Sequence, residues 1–289
     1  MATISNHLRG VTLATAGALI ISPDALILRL ITTDHWTVLF WRGLLTALTL
    51  AVLFVVTYPR TFVQYVRVIG GLGMLAAFLL AVTSILFVTS ITLTTAANTL
   101  VIISVAPLLA AILSFVFLRE HVPFRTWIAI LAALAGIAMI FSGNLGGGAL
   151  LGDLCALATA FFLAAHLTVV RRARANDMLP AVAISGIIVA IACVPIAKPL
   201  AVTTPDIALL AVLGMVVLPL AFSLFVRAPR FIPAAEVGLI MLLEAILGPL
   251  WVWLAINEIP NAATFVGGGA VLATLIVHSV LALRAPSAT

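Results

Sequence analysis

The chain predicts an all-α integral membrane fold, with ten transmembrane helices arranged as two inverted five-helix repeats around a central cavity. Three observations carry that expectation. Hydrophobic residues make up 64% of the 289 and charged residues 8%, with a mean hydropathy of +1.34, whereas a soluble domain carries about 25% charge. The apolar residues fall into ten runs joined by short loops, most of them near the ~20 residues a helix needs to cross a hydrocarbon core. Basic residues are also distributed very unevenly between the two sets of connections.

The runs are 9–30, 37–57, 68–90, 94–117, 125–142, 151–171, 181–197, 206–226, 233–254 and 262–283. The first follows a head too short for a targeting region and ends at Arg29, not at a small-residue cleavage site, so it reads as a retained span. It contains Ser22-Pro23-Asp24, and the second run carries Arg42 near its start. The third opens on Gly70-Gly71-Leu72-Gly73 and the tenth holds Gly267-Gly268-Gly269. Both clusters fit close helix packing, and neither follows a strand as a nucleotide loop would. Glu120 lies between the fourth and fifth runs ahead of Pro123, and Glu258 between the ninth and tenth ahead of Pro260. A carboxylate at such a junction can accept from the free N–H groups that open the next helix. Runs six and seven carry Cys155 and Cys193, read as buried free thiols. Trp36, Trp41, Trp127, Trp251 and Trp253 fall at run ends and read as an interfacial belt.

With the N-terminus inside, Arg9, Arg60, Arg67, Arg119, Arg125, Arg171, Arg172, Arg174, Arg227, Arg230 and Arg284 gather on one side. Arg29 and Lys198 lie on the other. Translocation disfavours basic loops, so both termini are expected in the cytoplasm, in a cell inner membrane. The pI near 10.2 is therefore a topology signal and implies no nucleic-acid partner.

Five is odd, so a duplicated five-helix unit enters the membrane with opposite orientation in its second copy. Residues 1–147 and 148–289 are the expected halves. A shift of 138 lays Ala96-Ala97-Asn98 on Ala234-Ala235-Glu236, Glu120 on Glu258 and Thr126 on Thr264.

Ala234-Ala235-Glu236, Leu243-Glu244 and Asn257-Glu258 resemble the second repeat of EamA-type proteins of the drug/metabolite transporter superfamily. Ala96-Ala97-Asn98, Ala106-Pro107 and Arg119-Glu120 resemble its first repeat, and Arg42 sits where that family often has an arginine. The resemblance runs the length of the chain. One departure is Ala245 after Glu244, where the family often has proline; Pro249 comes later. The resemblance implies ten helices in two inverted fives and export of amino acids and other small metabolites. Its YddG-type aromatic amino-acid exporters are the nearest subtype.

Ser22, Pro23 and Asp24 form a helix-start pattern in mid-span. Two readings stand: a broken helix whose outer half faces a substrate carboxylate, or an ordinary proline kink. Asp24 and Arg42 fall at similar depth and either pair or contact substrate. Glu244, near the bilayer centre, is the leading candidate for proton binding or a cavity hydrogen bond. His166 is a second candidate for coupling, with simple packing as the alternative. Asn98 and Glu236 are candidate gate or helix-packing groups, and Phe78, Phe87, Phe161 and Phe162 are candidates for an aromatic pocket.

There is no Walker A motif and no HExxH or GxSxG, so ATP-driven transport and intramembrane hydrolysis are not indicated. The expectation is a monomeric secondary active or facilitative exporter working by alternating access, without cofactor or bound metal. Its partners would be a small-molecule substrate, the lipid bilayer and protons. Export of other metabolites or cationic drugs, or a passive channel or scramblase, are the alternatives.

Overall fold

The computed structural model describes residues 2–57, 70–119, 122–143, 149–173, 178–228, 231–232 and 234–284, with backbone alone at 2–6, 226, 234–236, 238–239, 279 and 282–284. All regular structure among them is helical. In chain order the helices are α1 (Ala2–Ile21), α2 (Asp24–Leu30), α3 (His35–Thr57), α4 (Gly70–Leu93), α5 (Ala96–Ile103) and α6 (Ala106–Leu118). They continue with α7 (Phe124–Ser142), α8 (Leu150–Arg172), α9 (Leu179–Cys193) and α10 (Thr204–Ala211). A π-helical turn, Val212–Val217, leads into α11 (Leu218–Arg227), followed by α12 (Ala234–Ile256) and α13 (Ala262–Arg284).

Among the described residues seven stretches are long and apolar enough to cross a membrane, and three shorter apolar helices, Leu179–Cys193, Ile240–Ile256 and Ala262–His278, accompany them. The expected ten full-length spans are thus seven, plus three shorter segments. The seventh run stops early because Pro195 has no N–H to extend the ladder, although Val194 before it keeps helical φ/ψ.

Prolines also explain the interruptions inside spans. The turn at Ser22-Pro23 separates α1 from α2, Ser104-Val105 precedes Pro107 between α5 and α6, and the π turn precedes Pro219. Each proline removes a donor and crowds the carbonyl one turn back. Pro249 is the exception, because α12 runs through it.

The first interruption corrects one detail of the helix-start pattern. Ser22 does not cap α2: its hydroxyl donates to the Leu19 carbonyl and accepts from Trp251 Nε1 at 2.9 Å. Residue 23 precedes α2 in helical φ/ψ with no side-chain cap. The geometry is closer to the proline kink than to two independent half-helices. Trp251 is likewise more than an interfacial anchor.

Small residues set the packing. Ala156, Ala160 and Ala164 recur every fourth residue on α8, Ala76, Ala77 and Ala81 lie on α4, and all are buried as these two helices pack together. Helix α9 packs on α3 and α4, α13 on α7, and α1 on α11 and α12. Two of these contacts are glycine against glycine. A Cβ on Gly43 would lie 2.6 Å from the Gly186 carbonyl oxygen, and one on Gly136 would lie 2.8 Å from that of Gly267. The backbones approach this closely only because no side chain intervenes. Both cysteines are free thiols, Cys193 buried and Cys155 half-buried.

Candidate functional site

A cavity of about 220 Å³ lies between the two sequence halves. The halves contribute α1 to α6 on one side and α8, α9, α11 and α12 on the other. The proline interruptions position the charged group at its centre. The turn at Ser22-Pro23 redirects the chain so that Asp24, the first residue of α2, meets Arg42 from the second turn of α3. Arg42 Nη2 donates to Asp24 Oδ2 at 2.6 Å, and both residues are buried. The Arg42 guanidinium also sits over the Phe87 ring, 5.3 Å from its centroid, where the ring face attracts a cation.

Glu244 of α12 lines the same cavity and lies near enough to feel the charges of Asp24 and Arg42. A second carboxylate therefore lines the same chamber as the Asp24–Arg42 pair, among mostly apolar residues such as Leu80, Phe87, Phe222 and Phe225. Most lining hydroxyls are occupied within their own helices: Thr83 donates to Leu79, Ser104 to Val101, Thr159 to Cys155 and Ser185 to Val182. Four buried polar atoms are not so occupied, namely Asp24 Oδ1, Arg42 Nε, Arg42 Nη1 and Thr46 Oγ1. Buried polar atoms are nearly always hydrogen-bonded, so these four are the open hydrogen-bonding positions of the cavity wall.

Other residues singled out from the sequence fall elsewhere. Ser22 and Pro23 set the kink without lining the cavity. Phe78 is 52% exposed on the outside of α4, and Phe161 and Phe162 form an edge-to-face pair, with Phe161 also outward. His166 Nδ1 lies 2.9 Å from the Ala76 carbonyl in the α4–α8 contact, although its neighbours Leu163 and Leu167 reach the cavity. Asn98 is fully buried near the Arg29 end of the bundle. Glu236 belongs to α12, its side chain outside the described set, and Glu120 lies outside the described residues altogether. Arg29, near the end of the first run, pairs with Glu258. Sequence reasoning missed Thr46, Phe222 and Phe225. Thr46 was findable, one helical turn beyond Arg42 on the same face. Among the described residues no group of three or more His, Cys, Asp or Glu side chains is placed to hold a metal ion.

The profile of the EamA-like transporter family matches this sequence twice, over residues 8–142 and again over 150–280. The chain belongs to the EamA-like transporter family. Its members are transporters and not enzymes, which makes this a multi-pass membrane transporter of small molecules. A solved crystal structure aligns with a TM-score of 0.65 at 17% identity, covering 96% of this chain and 99% of its own length. That likeness concerns the fold alone. Among curated proteins, none is matched by this chain.

Proposed function

We propose that this EamA-like transporter exports amino acids, aromatic or hydrophobic ones above all, across the inner membrane by alternating access, in the manner of the YddG-type exporters. The observation that carries the substrate class is the unspent polarity around Asp24 and Arg42. Arg42 Nε and Nη1 can donate to a carboxylate, while Asp24 Oδ1 and Glu244 can receive an ammonium. Phe87, Phe222 and Phe225 add aromatic surface to the cavity that suits an apolar side chain. Glu244 is the candidate proton carrier, being the carboxylate in this group without a hydrogen-bonded arginine.

Alternating access requires two halves that can rock. We take these as 1–147 and 148–289, ten membrane-crossing segments in two inverted fives. Support comes from helix neighbours that map onto one another when the halves are exchanged. The α4–α8 contact corresponds to α11–α1, while the α3–α9 and α7–α13 contacts map onto themselves. The non-glycine residues with positive φ, Arg119 at 54° and Asn257 at 56°, lie 138 residues apart, the offset of the sequence repeat. With the arginine-rich connections inside, both termini face the cytoplasm, and a single chain contains the whole cavity.

The test is counterflow of labelled phenylalanine into proteoliposomes preloaded with unlabelled phenylalanine, with and without a pH gradient. Saturable counterflow is expected; folded protein that gives none would remove aromatic amino acids as substrates. Glu244→Gln should lower the flux about tenfold or more, equivalent to at least ~1.4 kcal/mol, and abolish the response to the gradient while leaving insertion intact. Wild-type flux in that variant would exclude Glu244 from the mechanism. One observation favours a second reading. With its proton released, Glu244 adds a negative charge to the neutral Asp24–Arg42 pair, which suits a lipophilic cation lacking a carboxylate. Competition by such a cation, with none by phenylalanine, would select it.

A further inference from the structure

A continuous polar seam crosses one end of the bundle, and none of its members lines the cavity. At its wetter edge Arg29, in the last turn of α2, pairs with Glu258 beyond α12, Nε to Oε2 at 3.1 Å and Nη2 to Oε1 at 3.2 Å. The same Arg29 Nη2 donates to the Thr94 carbonyl, and Glu258 Oε1 accepts from the Ala96 N–H at 2.8 Å. Glu258 therefore caps α5 in the other half of the chain, not the helix that follows it. Inward from there, the Thr94 hydroxyl donates to Asp153 Oδ1 at 2.7 Å, and Asn98 Nδ2 donates to the same oxygen at 3.0 Å. Thr264 Oγ1 then donates to Asn98 Oδ1.

Two features separate this seam from ordinary helix packing. The links Arg29–Glu258, Ala96–Glu258, Thr94–Asp153, Asn98–Asp153 and Asn98–Thr264 each run from the first sequence half to the second. A rocking of one half against the other would strain them together. Its exposure is also graded: Asn98 and Asp153 are fully buried, Thr94 and Thr264 nearly so, while the Arg29 and Glu258 side chains are 22% and 20% exposed. The ion pair thus reaches the surface of the bundle, and the hydrogen bonds behind it do not. A second tie lies at the same end, where Asp206 accepts from the N–H and hydroxyl of both Thr32 and Thr33. The cavity meanwhile extends the other way, to Leu167 and Phe225 near the far ends of α8 and α11.

We propose that this seam is the gate at the Arg29 end of the transporter, closed in this structure, with the Arg29–Glu258 pair as its release. Opening the cavity to that side begins when the half-exposed ion pair dissociates. The buried Asp153–Asn98–Thr264 links part afterwards, because solvent reaches them only through that edge. The proposal rests on the alternating-access reading, and it predicts which residues set the balance between the two open states.

The test is side-resolved labelling, which needs no substrate. Ser84, which lines the cavity, is replaced by Cys in a background with Cys155→Ser and Cys193→Ser. A membrane-impermeant thiol reagent is then applied to one membrane face or the other, in spheroplasts and in inverted vesicles. Glu258→Gln should raise labelling from the Arg29 side about fivefold, as loss of a half-exposed ion pair shifts the population. The exchange Arg29→Glu with Glu258→Arg should bring it back toward the parent rate. Thr264→Val, an isosteric change in the buried part, should act in the same direction as Glu258→Gln and keeps the test decisive if the charge variants fold poorly. An unchanged or lower rate from the Arg29 side in folded Glu258→Gln or Thr264→Val protein overturns the gate. A rise that the charge exchange fails to reverse overturns the ion pair as its release. Equal labelling of the parent from both faces would instead sink alternating access itself and point to a channel.

Discussion

Arg42→Gln should cost the folded bundle about 3–5 kcal/mol, the range for removing one partner of a buried ion pair, and should do more damage than Asp24→Asn. The asymmetry follows from the composition of the cavity. Removing the guanidinium leaves Asp24 and Glu244 facing one another in an apolar chamber with no cation. Removing the Asp24 charge leaves Arg42 with Glu244 within electrostatic reach and the Phe87 face beneath it. The double variant should cost less than the sum of the two, with a coupling of roughly 0.5–3 kcal/mol, because neither charge is then stranded. Thermal unfolding of the purified proteins in one detergent, with the cycle closed by the double variant, measures all three. Equal losses in the two single variants would show that Glu244 does not stand in for Asp24. Strictly additive losses would show that the bridge contributes nothing to stability.

The architecture was largely legible because in lipid a backbone must satisfy its own hydrogen bonds, so runs of apolar residues announce helices. The charged pair was legible for a related reason. Asp24 and Arg42 are costly at membrane depth unless they pair or face a cavity, and their similar depth pointed to one of those outcomes; that Glu244, read as deeper, stands near this pair in the same cavity was not legible. What stayed hidden was direction around each helix axis. Phe78 and Phe87 sit on the same helix, yet one faces outward and the other the cavity. A helix as uniformly apolar as α4 offers no polar face from which to orient it. For the same reason the sequence left His166 open between coupling and packing; in the close α4–α8 contact it turns toward Ala76. The seam at the Arg29 end was illegible in another way. Its links join residues as distant as Arg29 and Glu258, and Glu258 caps a helix of the opposite half where local sequence pointed to the next one.

The glycine crossings carry the second large expected effect, and here geometry distinguishes glycines that the sequence treats alike. Gly136→Ala should destabilise the protein by about 1–3 kcal/mol, the usual cost of overpacking. The new Cβ would stand 2.8 Å from the Gly267 carbonyl oxygen and 2.7 Å from Val271 Cγ2, so α7 and α13 must move apart. Gly43→Ala meets the Gly186 carbonyl oxygen at 2.6 Å and should cost a similar amount. Because α3 and α9 belong to different halves and both line the cavity, it should depress transport beyond what the loss of folded protein explains. Gly269→Ala is the control: a Cβ there meets nothing within 4 Å, so alanine's better helix propensity should leave stability unchanged or raise it by up to ~1 kcal/mol. Melting temperatures of the three variants, with flux normalised to folded protein, decide the matter. If all three melt together, close approach at the crossings does not hold the bundle. If Gly43→Ala loses only what its folded fraction predicts, the α3–α9 crossing is a passive contact, and the pivot on which the two halves rock lies elsewhere.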